Sequence, residues 1–228
     1  MRSTHRSFGA GAGLIVTMLA ASTLAGGPLP AMEGGDLAQG GPFATMHMLL
    51  QKTVLNINVA TIDIRVDKGT QSRFTQLAGG KPYSSELEHQ LALAAIDARH
   101  AVVEMKFKRD IPLNRWIGVV KDGLEQARKA GLINKEVEER VGRSLADWFG
   151  ALKDRGYLKD DRLIYAVMPD SVRSVVVSTG GQVFVDRVDT GHEGRRVVLG
   201  SYFATGSEFR EPLLKSMFNS VGNPGRVP

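Results

Sequence analysis

No cysteine occurs anywhere in the 228 residues. Disulfides, thiol catalysis and zinc–thiolate sites are therefore excluded, and a domain of about 200 residues is large enough to be held by packing alone. The five histidines, at 5, 47, 89, 100 and 192, never fall at metal-ligand spacing, so no metal is expected. Ser201 and Ser207 have no G-x-S-x-G around them, and the glycine-rich pieces match neither G-x-x-x-x-G-K-S/T nor G-x-G-x-x-G after a strand. A hydrolase triad and a nucleotide site both lack support, and no cofactor is expected. Basic clusters are missing too: Lys106, Lys108 and Arg109 sit beside Asp110, and Arg195-Arg196 lies in a turn-like stretch. The formal charge of +5 falls to +3 once Arg2 and Arg6 are set apart. Such a balance describes a solvated surface, not a nucleic-acid interface.

What is present begins with an export signature. Arg2, His5 and Arg6 form a positive region ahead of the apolar, small-residue stretch Phe8 to Leu24, and Thr23-Leu24-Ala25 and Leu29-Pro30-Ala31 offer small-residue cleavage points. Residues 1–31 are expected to be a cleavable signal, cut after Ala25 or Ala31. Gly9, Gly11, Gly13, Ser22 and Thr23 make the stretch too weakly apolar for an anchor helix. The expected product is periplasmic or secreted, with no stable membrane insertion. Residues 32–42 read as a flexible Gly-rich lead-in, 43–219 as one domain and 220–228 as a tail.

Within the domain, Lys52 to Val66 reads as one long strand rich in β-branched residues. Its alternation slips phase: Leu55, Ile57 and Val59 share one face and Ile62, Ile64 and Val66 the other, which predicts a bulge or bend near Ala60-Thr61. Ser84 or Ser85 caps a helix to about Ala98, and Ala101 to Lys108 is a strand with Val103, Met105 and Phe107 inward. Pro112 breaks the chain before a helix striped by Trp116, Val119, Val120, Leu124 and Ala127. Asn134 caps another, striped by Val137, Val141, Leu145, Trp148 and Leu152. Strands follow at Arg162–Val167, Ser174–Ser178 and Gln182–Val188, the last two joined through Thr179-Gly180-Gly181. Val197 to Phe203 is either a further strand or a helix, and Glu208 to Phe218 is a terminal helix. This order predicts an α+β domain, a mostly antiparallel sheet with helices on one face.

The segment MKFKRDIPLNRWIGVVKDGLEQARKAGL, Met105 to Leu132, resembles the strand, break and long helix of chalcone-isomerase-like proteins, whose bacterial members show an F-x-R-D-V/I phrase before a helix containing G-L-E. Lys52 to Val66 resembles that family's long strand, and DRLIYAVMPDSV through LLKSMF its closing hairpin and helices, so the resemblance spans roughly residues 45–219. It implies an open-faced sandwich, a long curved antiparallel sheet covered by helices on one face (the chalcone isomerase fold), with a ligand cleft between the layers. In the plant enzymes this cleft cyclises a chalcone; in fatty-acid-binding relatives it holds an acyl chain whose carboxylate meets an Arg.

The enzymes place an Arg just before or at the start of the long strand, to polarise the substrate and stabilise its phenolate; this chain has no Arg between Phe43 and Ile64, only His47 and Lys52. A lysine lacks the planar guanidinium fork. Where the enzymes carry a Tyr and, two turns later, an Asn on the long helix, this chain has Arg115-Trp116 and Asp122. Lys52, Arg115, Trp116 and Asp122 are accordingly the ligand-binding candidates, and no catalytic residue is assigned. Lys52 has a second reading as a strand lysine reaching solvent, Asp122 as a surface residue beside Lys121, and Trp116 as core. The leading expectation is non-catalytic binding of a small apolar or amphipathic ligand such as a fatty acid. The alternatives are an intramolecular lyase using Lys52 in place of Arg, and an envelope interaction module whose cleft is closed.

Overall fold

The computed structural model describes residues 44–52 and 57–222. The expected signal (1–31), lead-in (32–42), the segment 53–56 and the last six residues lie outside the described residues.

Strand β1 (Ala44–Lys52) pairs antiparallel with β2 (Ile57–Val66). Helices α1 (Lys68–Ala78) and α2 (Ser85–Ile96) follow, then β3 (Ala101–Phe107), α3 (Leu113–Lys129) and α4 (Lys135–Trp148). A short 3₁₀ turn, Gly150–Leu152, leads to β4 (Arg162–Met168), β5 (Ser171–Val177) and β6 (Val183–Thr190). Two helices, α5 (Glu193–Phe203) and α6 (Arg210–Gly222), close the chain. The six strands lie in chain order and every neighbouring pair is antiparallel, so the architecture is α+β with an open antiparallel sheet.

Two expectations are corrected. The single long strand Lys52–Val66 is not one strand: Lys52 ends β1, and β2, antiparallel to it, begins at Ile57. The alternation from Lys52 onward concealed the reversal because both arms are β-branched or apolar at the same period. The phase slip is nonetheless real: Leu50 pairs with Ala60 and Gln51 with Asn58, leaving Val59 as the extra residue of a bulge one position before the predicted site. Helix α1 was not foreseen at all, and Val197–Phe203 proves helical.

The register fixes how the sheet meets the helices. Three rows run across the helix-covered face. One is Ala44, Val66, Ala101, Val167, Val172 and Asp189; the next is Met46, Ile64, Val103, Tyr165, Ser174 and Arg187; the third is Met48, Ile62, Met105, Leu163, Val176 and Val185. At the β1–β3 end these side chains are sealed under the helices: Met46, Ile62, Ile64 and Val103 are wholly buried, with Phe74, Leu91, Phe203 and Leu213 joining the same core. At the β5–β6 end the first two rows turn polar. The other face of the sheet carries a small second cluster of Val102, Ile164, Val175 and Val177, beside which Arg173 grips Asp186 at 2.7 and 2.6 Å.

Asp67 shows how tightly a connection can be specified. It follows β2 directly and caps α1, its carboxylate accepting the Thr70 amide at 2.9 Å and the Arg99 and His100 amides at 2.9 and 3.1 Å. Partial burial works against its charge, but these hydrogen bonds together outweigh that and hold its pKa below the ordinary 3.8. Asp67→Ala removes a cap and orphans three amides, so urea unfolding should show a loss of about 2–3 kcal/mol at pH 7. Because the folded-state pKa is depressed, the charge-dependent part of the wild-type advantage should be present above the unfolded value of 3.8 and be lost as the pH falls through the lowered folded value.

Candidate functional site

The layers part where the sheet rows become polar. A cavity of about 570 Å³ lies between β3–β6 and helices α3, α4 and α5. Its back wall exists because α3 and α5 approach closely at Gly123, where a Cβ would stand 3.0 Å from that of Ser201. The amphipathic stripes of α3 and α4 supply the apolar lining: Trp116, Val120 and Leu124 from one, Val141, Leu145 and Trp148 from the other. Asn134 caps α4 by accepting the Val137 amide at 2.9 Å, which sets where that stripe begins.

The floor is the second sheet row. Tyr165, Ser174 and Arg187 are direct cross-strand neighbours on β4, β5 and β6, and all three line the cavity. Tyr202 of α5 lines it as well and is only 7% exposed. Burial pushes the Tyr165 phenol well above its ordinary pKa, aided by the neighbouring Tyr202, and burial alone raises Tyr202. Both are neutral hydroxyls at any physiological pH. Ser201 bonds the Val197 carbonyl at 2.7 Å, but the hydroxyls of Tyr165, Ser174 and Tyr202 have no hydrogen-bond partner among the described residues.

Charge is confined to the opening, where half-exposed side chains line the cavity. Arg187 forks onto Asp189 two residues along the same strand, with Nε 2.7 Å from the carboxylate, and its guanidinium lies 4.1 Å from the centre of the Trp148 ring. Arg140 of α4 pairs with Glu193 of α5 across the gap between the two helices. Every charged group that lines the cavity thus has its opposite beside it.

Of the residues singled out from sequence, Trp116 lines the cavity, packed edge-on against Phe149 at 4.7 Å and tilted on Tyr157 at 5.2 Å. Arg115 and Asp122 are on the exposed side of the same helix and do not line it. Lys52 stands at the end of β1; its side chain lies outside the described residues. Tyr165, Ser174, Arg187, Arg140 and Tyr202 were not anticipated. The signal for three of them was available in principle: Tyr165, Ser174 and Arg187 occupy the inward phase of strands that otherwise place Leu, Val or Ile there.

Among the described residues no group of acidic side chains and histidines could hold a metal ion, and no helix is long and apolar enough to cross a membrane. No protein-family profile and no curated protein matches the chain. Among solved structures it is similar to the crystal structure of the Arabidopsis thaliana fatty-acid-binding protein AtFAP1, with 13% sequence identity and a TM-score of 0.45 over 78% of this chain and 87% of that one.

Proposed function

We propose that the cavity binds a small apolar or amphipathic molecule and performs no chemistry on it, in a protein exported to the periplasm or secreted. The observation that carries this reading is the space itself. Protein interiors are normally close-packed, yet about 570 Å³ stays open between sheet and helices, within the range of about 300–1,000 Å³ usual for small-molecule sites. An interaction module with a closed cleft would fill it. The lining is aromatic and aliphatic with a few convergent hydroxyls, the composition that holds an apolar body and fixes one polar end.

Intramolecular lyase chemistry would need a cation free to stabilise a developing anion. The cavity's two guanidiniums are each neutralised by a carboxylate, and Tyr165 and Tyr202 are held neutral. The resemblance to chalcone-isomerase-like proteins supports binding over cyclisation for the same reason. Mass spectrometry of small molecules extracted from natively purified protein is expected to find a stoichiometric apolar compound. After delipidation, an uncharged naphthylamine fluorophore should bind at micromolar concentration and be displaced by that compound. A folded, delipidated protein that binds neither ends this reading. Amino-terminal sequencing of the protein recovered from outside the cytoplasm should begin at Gly26 or Met32, directly after Ala25 or Ala31.

A further inference from the structure

We propose that the polar end of the ligand is uncharged, a hydroxyl or carbonyl oxygen held on the cavity floor by Tyr165 and Tyr202; this rests on the cavity being a ligand site. The floor offers unspent hydrogen-bonding capacity. A ligand that covers a hydroxyl without bonding it incurs the cost of that lost hydration, so an occupant of this space gains by bonding the hydroxyls it covers. Tyr202 and Ser174 are each only 7% exposed, Tyr165 lies beside Ser174 in the sheet, and none of the three hydroxyls has a partner among the described residues. Tyr157, ahead of β4, has a hydroxyl that is sealed as well as unpartnered, its ring packed against Phe107 and Trp116, and it does not line the cavity. The cavity hydroxyls differ in being open to whatever occupies the space.

The opening argues against a charged end. An incoming carboxylate would meet guanidiniums that are already engaged. Asp189 is tethered two residues from Arg187 and contacts it through both oxygens, and Trp148 covers one face of that guanidinium. Displacing so local a partner gains little, since one charge-assisted pair is exchanged for another. Arg140 faces the same exchange against Glu193. Deeper in, a carboxylate would be desolvated among neutral phenols with no counter-ion, which is strongly unfavourable. An alcohol oxygen needs no counter-ion: it accepts from one tyrosine and donates to the other, and either phenol can serve both ways.

The test compares dodecan-1-ol, dodecanoate and dodecane on the delipidated protein at pH 7.5 by displacement of the uncharged fluorophore. The alcohol is expected to bind at least about tenfold more tightly than the carboxylate. Tyr165→Phe and Tyr202→Phe, which keep the ring and the packing, should each weaken the alcohol by about three- to tenfold, the value of one neutral hydrogen bond, while leaving dodecane unchanged. Dodecanoate binding as tightly as the alcohol overturns the proposal, and so does an alcohol affinity indifferent to both substitutions; either result leaves the binding function intact. Failure of all three probes to displace a bound fluorophore overturns the proposal alone, whereas failure of the fluorophore and of every probe to bind overturns it together with that function. The alcohol–carboxylate comparison on the unaltered protein needs no variant, so a misfolded substitution cannot rescue the idea.

Discussion

Gly156→Ala should destabilise the protein by about 3–5 kcal/mol. Gly156 has φ +65°, where a side chain costs about 1–2 kcal/mol, and the added Cβ would stand 2.5 Å from the Ile111 carbonyl oxygen and 3.1 Å from the Pro112 Cα. Neither neighbour can yield. Ile111 and Tyr157 exchange both backbone hydrogen bonds, at 2.8 and 2.9 Å, in an isolated bridge that fixes the start of α3. Pro112 is the residue from which that helix begins. The loss should appear as a melting temperature lower by roughly 10 °C. Gly181→Ala is the internal control, since its φ is +83° but nothing lies within 4 Å of its Cβ position. It should lose only the conformational part, about 1–2 kcal/mol. Equal losses at the two positions would show that the contact with Ile111 is not what matters.

Ser174→Phe should abolish ligand binding, by at least about a hundredfold, while the protein remains folded. Ser174 sits between Tyr165 and Arg187 in the floor, facing the open space. A phenylalanine there has room to enter without displacing backbone, so it occupies the volume a ligand would take and covers both tyrosine hydroxyls. Overpacking normally costs about 1–3 kcal/mol because a close-packed interior has no place for added atoms. An existing cavity reverses that expectation, and a melting temperature equal to or above wild type would show that the space was real. Fluorophore displacement measures the other half. Undiminished binding in a folded Ser174→Phe protein would place the ligand elsewhere.

The elements that the sequence revealed are those with a strong stripe and a named cap. Helix α3 carries Trp116, Val119, Val120, Leu124 and Ala127 on one face and α4 carries Val137, Val141, Leu145 and Trp148, and Ser84 and Asn134 cap α2 and α4 as read. Helix α1 escaped because its inward stripe is thin: Thr70, Phe74 and Ala78 are its buried residues, and Gln71, Ser72, Arg73 and Gln76 surround them. Its cap, Asp67, follows β2 without an intervening turn, so nothing in the local pattern marks a boundary. The first hairpin was hidden for the opposite reason, because both of its arms are strongly strand-like and the reversal between them lacks a glycine or proline. The candidate site was less legible still. Trp116 could be placed on a covering helix, but Tyr165, Ser174 and Arg187 form a row only through the registers of two hairpins, a long-range property that spacing along one strand cannot express. Arg115 and Asp122 share α3 with Trp116, yet the helical turn places them toward solvent.

Helix α4 packs on α3 and sets Val137, Val141 and Leu145 into the core, and the Arg140–Glu193 pair and the stacking of Arg187 on Trp148 tie it further to α5 and β6. Arg140 and Glu193 are more than half exposed, so the first of these ties is worth at most about 1 kcal/mol and is screened by salt. This wall of the cavity is thus held in part by exposed charges. Amide hydrogen exchange along 135–148 should proceed through an opening that costs less than global unfolding, and that opening becomes easier as ionic strength rises. A molecule in the cavity would then gain a second way out whenever the helix lifts, which ties the residence time of the ligand to the ionic strength as well as to its own contacts.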